Sequence, residues 1–237
     1  MAEQTLGVGD TKLTVDVDGG WLTALRDKTG DILFPRTPLV NSLGETKVRG
    51  GCHVCVPQFG PAREELGLTQ HGFGRDSLWT LQDSSKSSLV FNLSSTHGDY
   101  QNLQVILTYT LAEKSLKMEL SLFNDGISDV RIAPAFHPYF ETNRAATVGL
   151  DDATVAVDDY QDTKFLDGLR KTLEVNGRTL TLSSDELNVW AIWSDRLDEY
   201  FCVEPTLGGY RFLAESPEED ELLLSNTHAS YGFTISW

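Results

Sequence analysis

Residues 104–123 read QVILTYTLAEKSLKMELSLF, two runs rich in β-branched, aromatic and leucine residues around a short polar stretch. Val, Ile, Thr and Tyr favour extended backbone, whereas the intervening AEKS at residues 112–115 has the polar character of a turn. The stretch therefore predicts a β-hairpin with strands over 104–111 and 116–123.

Strand signals also dominate the rest of the chain. Asn176-Gly177 separates residues 173–175 from 179–182, and Asn-Gly suits the two-residue primed turn of a second hairpin. Helical periodicity is almost absent, with only short turns expected at residues 62–66 and 183–186. Further strands are predicted over residues 13–17, 88–93, 132–136, 154–157, 200–204 and 232–237.

The order of these segments predicts an all-β fold. The chain has 237 residues and shows no internal repeat, no low-complexity linker and no break in composition. Many short strands between turn clusters are typical of an antiparallel β-sandwich, which often reaches this length as one unit. We therefore expect a single domain over residues 1–237, with ligand-binding residues on one sheet face or at strand ends.

The chain is strongly acidic, with 35 Asp and Glu residues against 19 Lys and Arg and a net charge of −16. Nucleic acid and anionic membrane surfaces are not expected partners, because both select basic faces. An anionic small substrate would need its own local arginines. No apolar run approaches the roughly 18 residues that span a bilayer, and the N-terminus lacks the pattern of a signal peptide. We therefore expect a cytoplasmic location.

Three cysteines occur, two of them in Cys52-His53-Val54-Cys55. An odd number of cysteines without a secretory signal argues against a disulfide framework. Structural zinc usually takes two such pairs, and the sequence has one. The redox C-x-x-C normally opens a helix, whereas this one lies in an extended stretch bounded by Gly and Pro. We expect packed free thiols, and neither a metal nor another cofactor.

Four segments place titratable side chains among glycines, prolines and aromatic residues. They are residues 49–60 (RGGCHVCVPQFG), 70–79 (QHGFGRDSLW), 135–140 (AFHPYF) and 200–205 (YFCVEP).

Alternate residues of an extended segment point to the same face. His137 would then share a face with Tyr139, and His71 would share one with Arg75. The proline after Glu204 biases that residue toward an extended backbone. An acid, two imidazoles and arginines beside aromatic rings make a candidate sugar site, because aromatic faces pack on a pyranose and charged groups bind its hydroxyls.

Each of these residues also has a structural alternative. A single histidine in a β core is more often a hydrogen-bonded structural residue. Glu204 could be a surface or salt-bridged carboxylate, and the glycines can mark bulges or close backbone approach. Taken singly, the signals are weak.

In combination and in order, the four segments resemble those of the glucose-6-phosphate 1-epimerases (hexose-6-phosphate mutarotases) of the galactose mutarotase-like superfamily. The resemblance spans nearly the whole chain. It implies the galactose mutarotase-like supersandwich and an isomerase that interconverts the α and β anomers of a hexose, with a hexose 6-phosphate favoured. The chain departs from the family with His53 for proline, Gly74 for alanine and Pro138 for threonine.

Carried over residue by residue, the resemblance implies that Glu204 is the general base and His137 the general acid. His71 would be an auxiliary imidazole that binds the sugar. Arg49 and Arg75 match the arginines that the family is thought to use around the substrate phosphate.

The family also has an aspartate that holds sugar hydroxyls. Asp162, in Tyr160-Gln161-Asp162, matches it best, although Asp158 and Asp159 are close enough to compete.

This acid/base pair suits ring opening, which removes the proton of the C1 hydroxyl and protonates the ring oxygen. The sequence has no P-loop, Rossmann glycine fingerprint, H-E-x-x-H or G-x-S-x-G motif. The expected partner is a small sugar or sugar phosphate. One alternative is a non-catalytic carbohydrate-binding domain on the same fold, which would have no reason to keep both His137 and Glu204. Others are an epimerase of a neutral aldose and a purely structural β domain.

Overall fold

The computed structural model of the chain describes residues 3–41, 43–95, 97–195, 197 and 199–237. Met1 and Ala2, part of the N-terminus considered above, lie outside the described residues. In the described ranges the strands are β1 (Glu3–Val8), β2 (Thr11–Asp16), β3 (Trp21–Asp27), β4 (Gly30–Asp31), β5 (Thr37–Val40), β6 (Thr46–Arg49), β7 (Cys52–Cys55), β8 (Thr80–Ser84), β9 (Ser88–Ser94), β10 (Leu103–Ala112), β11 (Ser115–Asn124), β12 (Val130–Arg131), β13 (Ala135–Glu141), β14 (Thr147–Leu150), β15 (Ala153–Ala156), β16 (Lys164–Asp167), β17 (Arg170–Val175), β18 (Arg178–Ser183), β19 (Val189–Trp193), β20 (Tyr200–Thr206), β21 (Leu222–Leu223) and β22 (His228–Ser236).

Helical structure in these ranges is confined to short 3₁₀ helices. They are Glu64–Leu66, Gly74–Asp76, Gly98–Tyr100, Val157–Tyr160, Arg211–Leu213 and Glu219–Glu221. No helix among the described residues has the length and apolar character needed to cross a bilayer.

Two large antiparallel sheets make up most of the described chain. The first follows the order β1-β2-β3-β7-β13-β20-β19-β16, with β4 attached to β3. The second follows the order β15-β14-β17-β18-β22-β11-β10-β9-β8, and β5 with β6 and β12 with β21 form separate two-stranded pairs. The predicted all-β antiparallel sandwich is therefore confirmed.

Both predicted hairpins are present. Strands β10 and β11 pair up to Ala112 and Ser115, so the turn has two residues rather than the four predicted. Asn176 and Gly177 have φ angles of 51° and 70°, and positive φ at both positions is what a type I′ turn requires.

Three other local predictions differ from the structure. The strand expected at residues 132–136 is interrupted between β12 and β13, where Pro134 has no amide hydrogen and the Ile132 amide donates to the carbonyl of Glu221 at 2.7 Å. The strand expected at 154–157 ends one residue earlier because Val157 begins a 3₁₀ helix. The turn at 62–66 contains a 3₁₀ helix, whereas residues 183–186 form none.

The main hydrophobic core lies between the two large sheets. Leu107 of β10 and Leu120 of β11 are fully buried on one side, as are Phe136 of β13 and Phe201 of β20 on the other. The Phe136 ring meets Phe233 of β22 with centroids 5.7 Å apart. Burying such side chains contributes about 1.5–3 kcal/mol each, so alternation along β13 and β20 is fixed with their apolar residues inward. Their polar residues must therefore lie on the opposite face of the first sheet.

Candidate active site

Four adjacent strands of the first sheet carry the candidate site in one row across that opposite face. His53 on β7 pairs with His137 on β13. The register of β13 with β20 sets His137 opposite Glu204, and Glu204 pairs with Ala191 on β19. Directly paired residues of neighbouring strands project to the same face. Sheet register thus brings together two of the titratable residues that the sequence singled out.

His137 and Glu204 form a buried contact. The imidazole Nε2 lies 3.3 Å from the carboxylate Oε2, and the two residues are only 5% and 1% exposed. The contact lacks hydrogen-bond geometry, and Glu204 Oε2 has no hydrogen-bond partner among the described residues. His137 Nδ1, the other nitrogen of the ring, has none either. Buried polar atoms nearly always find partners, and these two are available to a ligand.

Burial favours the uncharged form of both groups. Desolvation raises the pKa of Glu204 well above 4.5. Desolvation also lowers the pKa of His137 well below 6.5, and the neighbouring His71, Arg75 and Arg49 act in the same direction. The neutral pair and the ion pair contain the same single proton, so the two forms differ only in which residue carries it.

His71 comes to the site from the loop that follows Pro61 rather than from a strand. Its Nδ1 accepts a hydrogen bond from the Gly60 amide at 3.3 Å, which assigns the ring proton to Nε2. Burial, and after it Arg75 and Arg49, lower the pKa of His71 to about 3. His71 is therefore a neutral hydrogen-bond donor at ordinary pH.

The backbone of this loop corrects the prediction that His71 and Arg75 project from one extended segment. His71 has a φ of 64°, a left-handed conformation that is uncommon for residues other than glycine, and Arg75 lies in a 3₁₀ helix. At Gly72 a Cβ atom would lie 2.1 Å from the carbonyl oxygen of Val56. The absence of a side chain at this position lets the loop pack directly on the end of β7.

The two predicted arginines have different surroundings. Arg49, at the end of β6, forms a salt bridge with Asp195 at 2.8 Å. The Arg75 Nε lies 3.9 Å from the carboxylate of Asp76, which is 61% exposed. Both arginines lower the pKa of His71 and His137 through their charge.

Asp162 is exposed, unlike the buried His137 and Glu204. The residue before it, Gln161, accepts a hydrogen bond from the Trp193 indole at 3.1 Å. The hydroxyl of the residue after it, Thr163, lies 3.3 Å from that of Tyr210. Asp158 and Asp159 are instead part of the 3₁₀ helix Val157–Tyr160, so the neighbours of Asp162 favour it as the candidate sugar ligand.

Aromatic residues that the sequence did not single out surround the imidazoles. Trp193 of β19 stands edge-on to His137 with ring centroids 6.2 Å apart, and Phe59 contacts His71 at 5.2 Å. Tyr210 stacks on Phe59 at 5.6 Å. Alternation along β19 puts Trp193 on the same face as Ala191, the residue that pairs with Glu204. A strand predicted at residues 189–193 could therefore have indicated Trp193. Nothing in the local sequence indicated Tyr210.

His53, noted only as a departure from the family, lies in the centre of the row. Its ring stacks on His137 at 4.7 Å and meets Trp21 at 4.4 Å. It is completely buried, and neither of its nitrogens has a hydrogen-bond partner among the described residues. Desolvation lowers its pKa well below 6.5, and the neighbouring His137 and Arg75 act in the same direction.

All three cysteines are buried free thiols. Cys52 and Cys55 are three residues apart on a strand and therefore face opposite sides of the sheet, so they cannot bind one ion together. Cys202 is different, because its sulfur and one ligand atom each of His137 and Glu204 lie within 4.8 Å of one another. This trio has the chemistry to hold a transition metal.

Comparison with known proteins identifies the family of the chain. A model of the family described as aldose 1-epimerase matches residues 5–228. A curated Escherichia coli protein named "Putative glucose-6-phosphate 1-epimerase" is 30% identical over 149 residues, 58% of this chain and 48% of that protein. The chain thus spans about half the length of the curated relatives that it matches.

Solved structures show the same fold at low sequence identity. A galactose mutarotase-like protein from Lactobacillus casei superposes with a TM-score of 0.82 at 16% identity and covers 99% of both chains. A galactose mutarotase related enzyme from Lactobacillus acidophilus gives a TM-score of 0.78 at 16% identity, over 99% of this chain and 97% of that one.

Proposed function

This chain belongs to the aldose 1-epimerase family, and we propose that it interconverts the α and β anomers of a hexose by acid/base ring opening and reclosure. The observation that carries the proposal is the buried contact of 3.3 Å between His137 Nε2 and Glu204 Oε2. An acid and a base that contact each other on one face of a sheet can reach two oxygens of one pyranose.

The reaction needs one proton taken and one given. In the ion-pair form, the Glu204 carboxylate removes the proton of the C1 hydroxyl while the His137 imidazolium protonates the ring oxygen, and the ring bond from C1 breaks. The open aldehyde rotates about its C1–C2 bond. On reclosure Glu204 returns its proton to the carbonyl oxygen, and His137 takes back the proton of the C5 hydroxyl. No proton is gained or lost over the cycle.

Sugar binding favours the ion-pair form of His137 and Glu204. Burial alone leaves the proton on Glu204, but hydrogen bonds from sugar hydroxyls to a carboxylate favour its charged form. The proton then moves to His137 at the moment when both reacting oxygens are in place. Each proton transfer by a positioned group typically contributes about 10²–10⁴-fold in rate.

The remaining site residues bind and orient the sugar in this proposal. His71 donates Nε2–H to a sugar oxygen, since its Nδ1 is engaged by Gly60. Asp162 accepts from sugar hydroxyls, while Trp193 packs against the C–H face of the ring. The His137–Cys202–Glu204 trio could hold a metal, but proton transfer between these residues and the sugar needs none.

The favoured substrate class is a hexose 6-phosphate. Arg75 and Arg49 support this choice, because a chain with a net charge of −16 needs local guanidinium groups to accept a dianion. The name of the E. coli relative, "Putative glucose-6-phosphate 1-epimerase", supports the same substrate class. A neutral aldose is the alternative substrate, and a non-catalytic sugar-binding domain is the alternative function.

The direct test follows α/β exchange by NMR for glucose, galactose and their 6-phosphates, with and without the protein. We expect catalysed exchange that is faster for the phosphates at equal concentration. Binding without any acceleration of exchange would establish the non-catalytic alternative, and equal rates with and without the phosphate group would move the assignment to neutral aldoses.

A further inference from the structure

Arg49 is held by a carboxylate in the structure. Its Nε and Nη2 both donate to Oδ2 of Asp195, at 3.0 and 2.8 Å, and its Nη1 donates to the carbonyl of Val48 at 3.0 Å. The hydroxyl of Tyr200 donates to the other carboxylate oxygen of Asp195. Through its Nε/Nη2 edge an arginine can bind a phosphate with two hydrogen bonds. In this structure Asp195 occupies that edge.

This ion pair lies beside the candidate catalytic residues. The guanidinium carbon of Arg49 is 5.5 Å from the ring centroid of Trp193, and Trp193 stands edge-on to His137. From the other side, Tyr200 packs against Tyr139 with centroids 5.0 Å apart, and Tyr139 stacks on His137 at 4.6 Å. On the Trp193 side, a single aromatic ring therefore separates the ion pair from the imidazole.

Electrostatics makes the Asp195 carboxylate and a phosphate competitors for Arg49. The side chains of Arg49 and Asp195 are 20% and 23% exposed, so their attraction is less screened than that of a surface pair. A phosphate dianion at the same edge would meet the carboxylate at close range, where like charges repel strongly. A neutral hydroxyl would instead donate to the carboxylate and leave the ion pair intact.

We propose that Asp195 is a specificity-determining residue that occupies, on Arg49, the position of an anionic substituent of the substrate. A sugar phosphate binds by displacing the Asp195 carboxylate from Arg49, whereas a neutral sugar leaves the pair in place. This inference rests on the proposed function for its substrate class. It makes Asp195 the residue that limits how strongly the site prefers a phosphorylated hexose.

The test is the Asp195→Asn variant, with dissociation constants for glucose 6-phosphate and for glucose measured by titration calorimetry. Asparagine keeps an oxygen for the Leu197 amide, which donates to Asp195 Oδ1 at 3.1 Å. Arg49 is then released from its counter-charge, and the Kd for glucose 6-phosphate falls about tenfold, the size of one charge-assisted contact. The Kd for glucose does not fall.

Two further variants separate this effect from a general one. Asp152→Asn removes the same charge at an exposed position in the β14–β15 turn and keeps the wild-type Kd for both ligands. Tyr200→Phe keeps the Asp195 carboxylate but removes the hydroxyl that donates a hydrogen bond to it. The Kd for glucose 6-phosphate therefore falls by less than in Asp195→Asn.

An unchanged or higher Kd for glucose 6-phosphate in Asp195→Asn would overturn the inference. So would an equal fall for both sugars, an equal fall in Asp152→Asn, or the absence of glucose 6-phosphate binding in every variant. Catalysis is measured separately, so a wild-type protein that binds glucose 6-phosphate without exchanging its anomers contradicts the proposed function and leaves the comparison of Kd values valid.

Discussion

At the scale of single residues, the site depends on where one proton resides. Burial places it on Glu204, because desolvation raises the pKa of that carboxyl and lowers the pKa of His137. The two side chains are close enough to exchange it, directly or through a sugar oxygen. The neutral pair avoids an uncompensated buried charge, which is costly. In the proposed mechanism, the ion pair then forms when sugar hydroxyls stabilise the carboxylate.

We expect Glu204→Gln and His137→Asn each to lower the catalysed rate of anomer exchange by about 10²-fold or more, because each substitution removes one of the two proton transfers. The measurement is exchange spectroscopy on glucose 6-phosphate, with a circular dichroism melt to verify the fold. Wild-type exchange in either variant would show that the substituted residue has no proton-transfer role.

His53 is the residue whose burial is hardest to explain by stability. Both nitrogens lack a hydrogen-bond partner in the described chain, and leaving a buried polar group unpaired costs about 1–3 kcal/mol. Its ring stacks on His137 at 4.7 Å. We infer that His53 positions the neighbouring imidazole and does not stabilise the hydrophobic core.

We expect His53→Leu to raise the free energy of unfolding at pH 7 by about 1 kcal/mol, because an apolar side chain of similar size removes the unpaired nitrogens. The Tm, measured by calorimetry, should rise by about 2–4 °C for a chain of this length. Anomer exchange should slow, since the stacking partner of His137 is lost. A lower Tm would mean that the imidazole is satisfied in solution and stabilises the fold.

At the scale of elements, the connection between β7 and β8 carries two residues of the candidate site, His71 and Arg75. The His71 amide donates to the carbonyl of Gly60 at 2.9 Å, and the Phe73 amide donates to that of Val56 at 2.9 Å. These bonds attach the loop to the end of the sheet. The short 3₁₀ helix that follows carries Arg75, whose charge lowers the pKa of His71 and His137. Asp76 is mostly exposed and leaves this guanidinium weakly paired.

We expect Arg75→Ala to raise the KM for glucose 6-phosphate about tenfold or more, because a charge-assisted bond to the phosphate is worth roughly 1.5–3 kcal/mol. The KM for free glucose, which lacks the phosphate, should change much less. Steady-state kinetics on both sugars makes the comparison, with Asp76→Asn as the control that keeps the arginine. Equal losses on both sugars would identify Arg75 as a structural residue.

At the scale of the whole molecule, the buried histidines couple folding to pH. His53, His71 and His137 have lowered pKa values, chiefly through desolvation, so each is neutral in the fold and binds a proton on unfolding below pH 6.5. The His137–Glu204 pair holds one proton when folded and one when unfolded between pH 5 and 6, and therefore cancels. His53 and His71 together leave an uptake of about two protons.

Because the unfolded chain binds more protons in this window, stability falls as the pH is lowered from 6.5 toward 5. We expect the slope to steepen as the imidazoles of the unfolded chain bind protons, and to reach about 3 kcal/mol per pH unit near pH 5, where the uptake is two protons. Calorimetric unfolding across the pH range gives the slope. His53→Leu should halve it, whereas His228→Gln, at an exposed position on β22, should leave it unchanged. A wild-type slope in His53→Leu would contradict the assignment of one of the protons to His53.

The sequence by itself determined many of the strands and indicated several residue types of the candidate site. Alternating apolar residues and the Asn176-Gly177 turn are local signals, and local sterics and hydrophobic burial are sufficient to express them. Four segments in order also indicated Glu204 and His137, because the resemblance to a family is read along the chain. The extended presentation of Glu204 before Pro205 followed for the same local reason.

The tertiary structure alone decided which strands are neighbours and therefore which side chains meet. The row from His53 through His137 to Glu204 depends on the register of strands far apart in sequence, and period-two alternation carries no information about register between distant strands. The pairing of Arg49 with Asp195 is of the same kind, across 146 positions of the chain. The left-handed backbone of His71 likewise exists because its loop packs on β7, since an isolated chain would disfavour it.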